Sequence, residues 1–390
     1  MNGIKHVILN GVGDVLLSVA KNLENIKWMY QRSFTTLRSV LDDKWTWVLC
    51  SFLFVLTACE HRPLLELSDK HYIRIYLDEH LRNVNYGFYD ETKEKTEYKT
   101  PKAMRVTLCD PETGKMYGEE YLQGNGSDER GNYIDGYIHA RPGTYNLLAY
   151  NFDTESTHVK HPNDYTKMEV YTNPVSDELR NRLQSVRSVE ESRTEVVRYE
   201  PDHFFVTNLE SIQLETVAGG DTIWAKGHEH LVAESVVKTY YMQVNVKGVE
   251  HVRSAVALIT GMAGSVTLHN REMVTDNPST IYFNLQNGRA ASKGAEEGMT
   301  IGYGTFNTFG KLPDVEGYIE ITFEFHTVDN QVQTETIRVT DMFETEQVRD
   351  KQWIIIDKVI EIVPPVGGEG GGGMSPGVGE WEQIEGEITI

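Results

Sequence analysis

Leu56-Thr57-Ala58-Cys59 sets a cysteine thiol directly behind two small residues, at the end of the apolar run Trp45–Ala58. That pattern is the recognition site of bacterial lipoprotein processing. Diacylglycerol is transferred to the thiol, the peptide bond before the cysteine is cut, and the new amino group is acylated. The run holds 14 residues. That is too few for a bilayer, which takes about 20 helical residues, but it suits a signal-peptide core. Each buried lipid methylene contributes about 0.8 kcal/mol, and two or more chains hold a protein stably at a membrane. The mature chain is therefore expected to begin at Cys59 and to be lipidated there. Met29, followed by Arg32, Arg38 and Lys44, makes a better start than Met1, so residues 1–28 read as an upstream extension.

No other chemistry-bearing group survives inspection. His228-Glu229-His230 resembles a metal cluster, but a zincin helix needs a second histidine at 232, where Val232 stands. A solvated loop accounts better for it, and the same holds for His158 and His161. Asp153 and Glu155 could share a cation, yet they follow a strand pattern as an ordinary polar turn would. No phosphate-binding glycine loop, nucleophile elbow or cysteine–histidine pair is present. The expectation is a protein without enzymatic activity, catalytic residues, metal or cofactor.

Charge and cysteine usage point the same way. Six of the 37 basic and four of the 58 acidic residues precede Cys59, leaving 31 against 54 and a net charge near −23. Such a chain repels nucleic-acid backbones. With Cys50 in the removed leader and Cys59 lipidated, Cys109 stands alone and no intrachain disulfide can form. Stability must come from packing, and 332 residues from Cys59 onward suffice for two domains.

The elements are mostly strands. Tyr72–Asp78, Ala103–Cys109, Tyr133–Ala140 and Thr144–Asn151 alternate apolar and polar residues between turn residues, the signature of an antiparallel sandwich. One short helix interrupts them. Ser176 can cap it, and Leu179, Leu183 and Val186 share a face. Ser188–Glu200 reads as a loop. A second block holds Val236–Lys247, Ser254–Thr260, a turn at Gly261-Met262-Ala263-Gly264, Ser265–Leu268, and a hairpin of Tyr318–Val328 with Gln331–Val339 around Asp329-Asn330. Trp353–Ile362 is nearly all apolar, as in a strand buried inside a sandwich. The expected domains are therefore 59–232 and 233–363, both β-sandwiches.

Pro364-Pro365 ends the last strand and Gly367–Gly373 is flexible, so 364–380 reads as a tether of 17 residues with a span of about 23 Å. Beyond it, Trp381–Ile390 alternates again, with Ile384, Ile388 and Ile390 on one face. This strand could complete its own sheet or be donated to the open edge of a neighbour. The tyrosines, 20 in number, could instead stack on sugar rings, but most sit within strand patterns.

Taken together, the motif at Cys59, Arg141–Tyr145 running into Leu147–Asn151, Ala257–Val266, Thr305–Gly310 and Val339–Asp341 resemble the lipid-anchored minor fimbrial subunits of Bacteroidota, the fimbrillin-associated anchor family of type V pili. The resemblance implies an all-β fold of two tandem transthyretin-like antiparallel β-sandwich domains. It implies a non-enzymatic structural protein, held at the outer membrane and exposed at the cell surface through lipid (palmitate included) on Cys59. Its partners would be other fimbrial subunits joined by strand exchange, with adhesion to a glycan or host protein. Ile384, Ile388 and Ile390 would form the exchange interface. Arg-directed trimming, a property of stalk and tip subunits, would have to act at Arg74, Arg82 or Arg105, none of which lies in an evident linker. The alternative from the residues alone is a surface glycan-binding lipoprotein serving nutrient uptake, which calls for exposed coplanar aromatic rings.

Overall fold

A computed structural model describes residues 69–78, 100–215, 221–222, 231–288, 299–313, 318–365 and 381–384. The first described strands are β1 (Asp69–Leu77), β2 (Met104–Cys109), β3 (Met116–Leu122), β4 (Gly124–Asp128), β5 (Gly131–Ala140) and β6 (Gly143–Asn151). Two short strands, β7 (Thr157–Lys160) and β8 (Glu169–Thr172), lead into helices α1 (Asp177–Arg182) and α2 (Gln184–Ser192). Then come β9 (Val196–Arg198), β10 (Phe205–Leu214), β11 (Asp221–Thr222) and β12 (Val232–Ser235). The rest is β13 (Lys238–Lys247), β14 (Val252–Ala263), β15 (Ser265–Thr267), β16 (Pro278–Asn284), β17 (Gln286–Gly288), β18 (Met299–Thr308), β19 (Glu320–Thr327), β20 (Val332–Arg338), α3 (Glu346–Lys351) and β21 (Trp353–Glu361). The fold is all-β, as expected.

The first sandwich is one sheet path, β3-β2-β6-β10-β12-β1-β5-β4, folded over on itself. Strand β12 belongs to both layers, pairing antiparallel with β10 and parallel with β1. At the other side Gln123 alone separates β3 from β4, so the chain itself turns the corner between layers. Inside, Ile73, Ile75 and Leu77 of β1 meet Ile134 and Ile138 of β5, Met104, Val106 and Leu108 of β2, and Leu147 and Ala149 of β6. Alternation put those residues on one face, and burying each of the larger side chains contributes about 1.5–3 kcal/mol.

The second sandwich stacks the sheet β17-β18-β13-β21 on β20-β19-β14-β16-β9. Its core includes Met242, Val244, Ala257, Ile259, Phe283, Phe306, Phe323, Phe325, Ile354 and Ile356. A small sheet, β15-β8-β7, and a third apolar cluster of Leu148, Tyr150, Met168 and Phe204 with Val266, Leu268 and Phe309 join the two sandwiches.

Several expectations change on contact with the structure. The helical insertion is two helices, because Leu183 adopts extended backbone (φ −100, ψ 120) and breaks the run. Helix α2 and strand β9 occupy most of the stretch read as a loop. The glycine-rich turn at 261–264 is a bulge within β14: Gly261 sits at φ +75, the register shifts between Ile259 and Met262, and the strand runs on to Ala263. Strand β21 is an edge strand paired parallel to β13, so its outer side, Val359 included, is exposed rather than enclosed. The expected boundary at 232 falls inside the sheets of the first sandwich, since β12 is paired there through Ser235. Conversely, β9 is paired into the second sandwich, alongside β16. Not every pairing is antiparallel; among the described residues four are parallel, each joining segments distant in sequence. The hairpin of β19 and β20 forms as read, with Asn330 at φ +62 in its turn.

Candidate assembly site

The outer face of β14 and β16 is where distant parts of the chain converge. Along β14, Ala255, Ala257 and Ile259 face the sheet-to-sheet core, whereas Val256 and Leu258 face outward. Those outward side chains are covered by Leu179, Leu183, Val186 and Val189 of the helices. Ser176 caps α1 by accepting from the Leu179 N–H at 3.2 Å, as the sequence indicated.

Helix α2 is capped from elsewhere. Its N-cap residue, Leu183, has no acceptor side chain, and the carboxylate of Glu324 on β19 takes that place. Glu324 is fully buried, and it accepts from the Ser185 N–H at 2.5 Å and the Gln184 N–H at 3.2 Å. His326 Nε2 lies 2.8 Å from the same carboxylate. Burial alone would raise the Glu324 pKa, but the bonds from His326 and Ser185 outweigh it and hold the carboxyl below its ordinary value. A carboxylate at a helix N-terminus is favoured by both the orphan N–H groups and the helix dipole. A second buried acid, Glu195, pairs with Arg193 at 3.1 Å and accepts from the Gly261 N–H at 3.0 Å and the Thr280 hydroxyl at 2.8 Å. It fastens the segment after α2 to the bulge of β14.

The C-terminal segment closes this face. Trp381 is buried within the second core, edge-on to Phe325 at 6.1 Å between ring centroids. The indole packs beside Gly302 and Val246, close enough that a Cβ at residue 302 would touch both at 3.4 Å. The Glu382 N–H donates to the Arg253 carbonyl at 2.9 Å. The Ile384 N–H donates to Asn284 Oδ1 at 3.0 Å, and the Tyr282 hydroxyl donates to the Ile384 carbonyl at 2.7 Å. Burial pushes the Tyr282 phenol up, keeping it a donor. The Ile384 side chain packs with the helices and with Val256, Leu258 and Tyr282.

Ile384 therefore faces its own chain, and Trp381–Ile384 is an irregular clip rather than the alternating strand expected of 381–390. Its anchors are mostly side chains, with one main-chain bond to β14. Cys59, Ile388, Ile390, Arg82 and His228-Glu229-His230 lie outside the described residues. Sequence reasoning missed Glu324, Glu195 and the anchoring role of Trp381. A glutamate in an otherwise apolar strand, Ile-Thr-Phe-Glu-Phe, was the one available signal for Glu324.

The remaining polar candidates serve the scaffold. Asp153 accepts from the Lys102 N–H at 2.9 Å, and Asp202 gathers the N–H groups of Glu155, Ser156 and Thr157. His158 bonds Asn173 at 2.9 Å and packs on Tyr171. His161 sits at a turn with φ +54. Burial pushes the Cys109 thiol up to about 11, which leaves it unreactive. Among the described residues no three histidines, cysteines or acids are grouped to hold a metal ion. The described exposed aromatic pair, Tyr121 and Phe152, meets at 70°, whereas the nearly parallel pairs, such as Phe283–Phe306, are buried. Arg74 and Arg105 are both held within sheets: Arg74 by Asp128 and Asp135, and Arg105 by Glu119.

The profile of a family described as a domain of unknown function, DUF5119, matches residues 89–284. A Bacteroides ovatus protein provisionally named fimbrium anchoring subunit Fim4B is 26% identical over 310 residues, covering 76% of this chain and 79% of its own. Among solved structures, a B. ovatus protein provisionally described as an adhesin matches with a TM-score of 0.47 at 21% identity, over 79% of this chain and 98% of its own. The fimbrial anchor protein Mfa2 from Porphyromonas gingivalis matches with a TM-score of 0.40 at 8% identity, over 75% of this chain and 90% of its own.

Proposed function

The chain belongs to the DUF5119 family, and from that premise we propose that it is a structural subunit of a fimbrium: an anchor or minor subunit, lipid-anchored through Cys59 at the outer membrane and exposed at the cell surface. The relative named as a fimbrium anchoring subunit supports this reading, because it aligns over about three quarters of both chains. On this reading the protein has no catalytic role, and its partners are other fimbrial subunits.

The observation that carries the assembly mode is the docking of Trp381–Ile384 on β14 and β16. Two side chains, Trp381 and Ile384, fill two separate apolar clusters, and the intervening backbone is hydrogen-bonded along the way. A segment that completes a sandwich in this manner can do so from another chain, since the contacts do not depend on which chain supplies them. Exchange of the C-terminal segment, with Ile384, Ile388 and Ile390 as its apolar face, would link subunits without new chemistry.

The test is non-boiled gel electrophoresis of outer-membrane extracts from the native host, comparing the intact chain with Trp381→Ala and with removal of 381–390. A heat-sensitive ladder that both changes abolish is the expected result. An unchanged ladder after removal of 381–390 would refute exchange through this segment. Incorporation of labelled palmitate, lost in Cys59→Ala, checks the anchor separately.

A further inference from the structure

Beside the clip lies a cleft of about 360 Å³ that the assembly reading does not use. Arg182 from the end of α1, Arg253 and Ser254 from the start of β14, and His326 from β19 line one part of it. Glu382 and Gln383 of the clip line the other. Its composition runs against the chain: two arginines line it in a protein whose net charge is −21. Arg253 is engaged lightly. Its Nη1 donates to Asn330 Oδ1 at 3.0 Å, and its Nε stands 4.0 Å from Glu382, beyond hydrogen-bond reach. A guanidinium has five N–H donors in a fixed fork that matches a carboxylate in bidentate fashion.

The rest of the lining narrows the ligand. Glu382 and Gln383 offer acceptors, and Ser254 offers a hydroxyl. A doubly charged phosphate would meet the Glu382 carboxylate and be repelled, whereas sugar hydroxyls would donate to it. The volume is near the low end for small-molecule sites and suits one or two sugar rings. We infer that this cleft is a binding site for an acidic sugar, with the sugar carboxylate on Arg253 and Arg182 and its hydroxyls on Glu382, Gln383 and Ser254. The inference goes beyond the assembly role and does not depend on it. The clip forms one wall, so the site exists only while residues 381–384 are docked.

The experiment is calorimetric titration of the detergent-solubilised full chain with glucuronate and N-acetylneuraminate, set against glucose, N-acetylglucosamine and acetate. The acidic sugars should saturate, and the neutral sugars and acetate should bind at least about tenfold more weakly, as expected when a charge-assisted bond or several hydroxyl bonds are lost. Arg253→Gln should weaken the acidic sugars by about tenfold or more with little change in melting temperature, because the clip's main-chain bond to residue 253 is kept and the side chain's contacts with Asn330 and Glu382 are exposed ones of small worth. Glu382 is well exposed, so Glu382→Gln offers a second variant that folding cannot confound. It should reduce the preference for acidic sugars over acetate. Equal binding of acetate would mean an anion site only, and equal binding of neutral sugars would mean that the arginines play no part. Either result, absence of saturation, or full affinity in Arg253→Gln, overturns the proposal.

Discussion

The two sandwiches solve the same problem differently. The first leaves the outer face of β1, β5 and β4 to a polar network. Tyr72 donates to Asp135, Tyr76 donates to Asp128 at 2.8 Å, and Arg74 reaches both carboxylates while stacking on Tyr133 at 3.8 Å. Glycines at 124 and 126 of β4 leave room for the side chains of Asp135 and Tyr133 to lie across the strand. The second sandwich has no such finish on β14 and β16. It covers their outer face with pieces drawn from residues 175–199 and 381–384. A wet outer face keeps its sheet self-contained, whereas a dry one makes the sheet depend on remote chain. The second sandwich should therefore be the one that remote substitutions unfold.

Trp381→Ala is the most severe test of that contrast. It empties a buried indole site between Gly302, Val246 and Phe325 and should cost about 3–5 kcal/mol in urea unfolding. Tyr137→Ala, on the half-exposed outer face of the first sandwich, should cost about 1 kcal/mol or less. Comparable losses from the two would dissolve the comparison.

Glu324→Ala comes next. It strips α2 of its cap and leaves His326 without its buried partner, for which about 3 kcal/mol is the scale. The pH dependence has a definite sign. The folded pKa of Glu324 is depressed, so its contribution is fully present above the unfolded carboxylate value and is lost as pH falls through the folded one. The gap between wild type and Glu324→Ala should thus be widest near neutrality and close below about pH 4. A gap that stayed constant from pH 7 to pH 3 would show that Glu324 acts through packing alone.

Gly126→Ala sharpens the other side of the comparison. Its Cβ would lie 2.3 Å from Tyr133 Cζ, so the ring must swing away and give up its stacking with Arg74. Because the clash is with the far end of a side chain, about 1 kcal/mol is expected in the same urea assay, with the second sandwich untouched.

How far the sequence could be read follows the same division. Strands β1, β2, β5 and β6 were legible because alternation survives wherever one face is wet or filled with polar side chains. Along β14, from Ser254 to Ala263, every residue is buried, so the period of two is erased and Gly261 passes for a turn when it is a bulge. Strand β21 misleads in the opposite sense: Trp-Ile-Ile-Ile reads as enclosed, yet parallel pairing at the sheet edge leaves alternate residues only partly covered. Glu324 could not have been assigned from sequence, since the N–H groups it caps lie 139 and 140 positions away. Trp381 and Ile384 were visible as an apolar pair, but nothing local says that they enter two different clusters.

The junction between the sandwiches supplies the mildest test. Glu200 accepts from the Asn307 N–H of β18 at 2.8 Å, and its carbonyl accepts from the Ser156 hydroxyl at 2.6 Å. Burial, with nearby Asp202 adding to it, pushes the Glu200 carboxyl up to about 8 despite the Asn307 bond. A raised acid pKa has the reverse sign to Glu324. The folded state holds a proton that the unfolded state releases, so stability falls as pH rises from about 4.5 towards 8. Glu200→Gln removes that liability while keeping an acceptor for Asn307. The variant should match wild type near pH 4 and melt at higher temperature by pH 8. If instead the two curves ran parallel across that range, Glu200 would be ionised in the folded protein. The joint between the sandwiches would then be held by a charge rather than by a neutral acid.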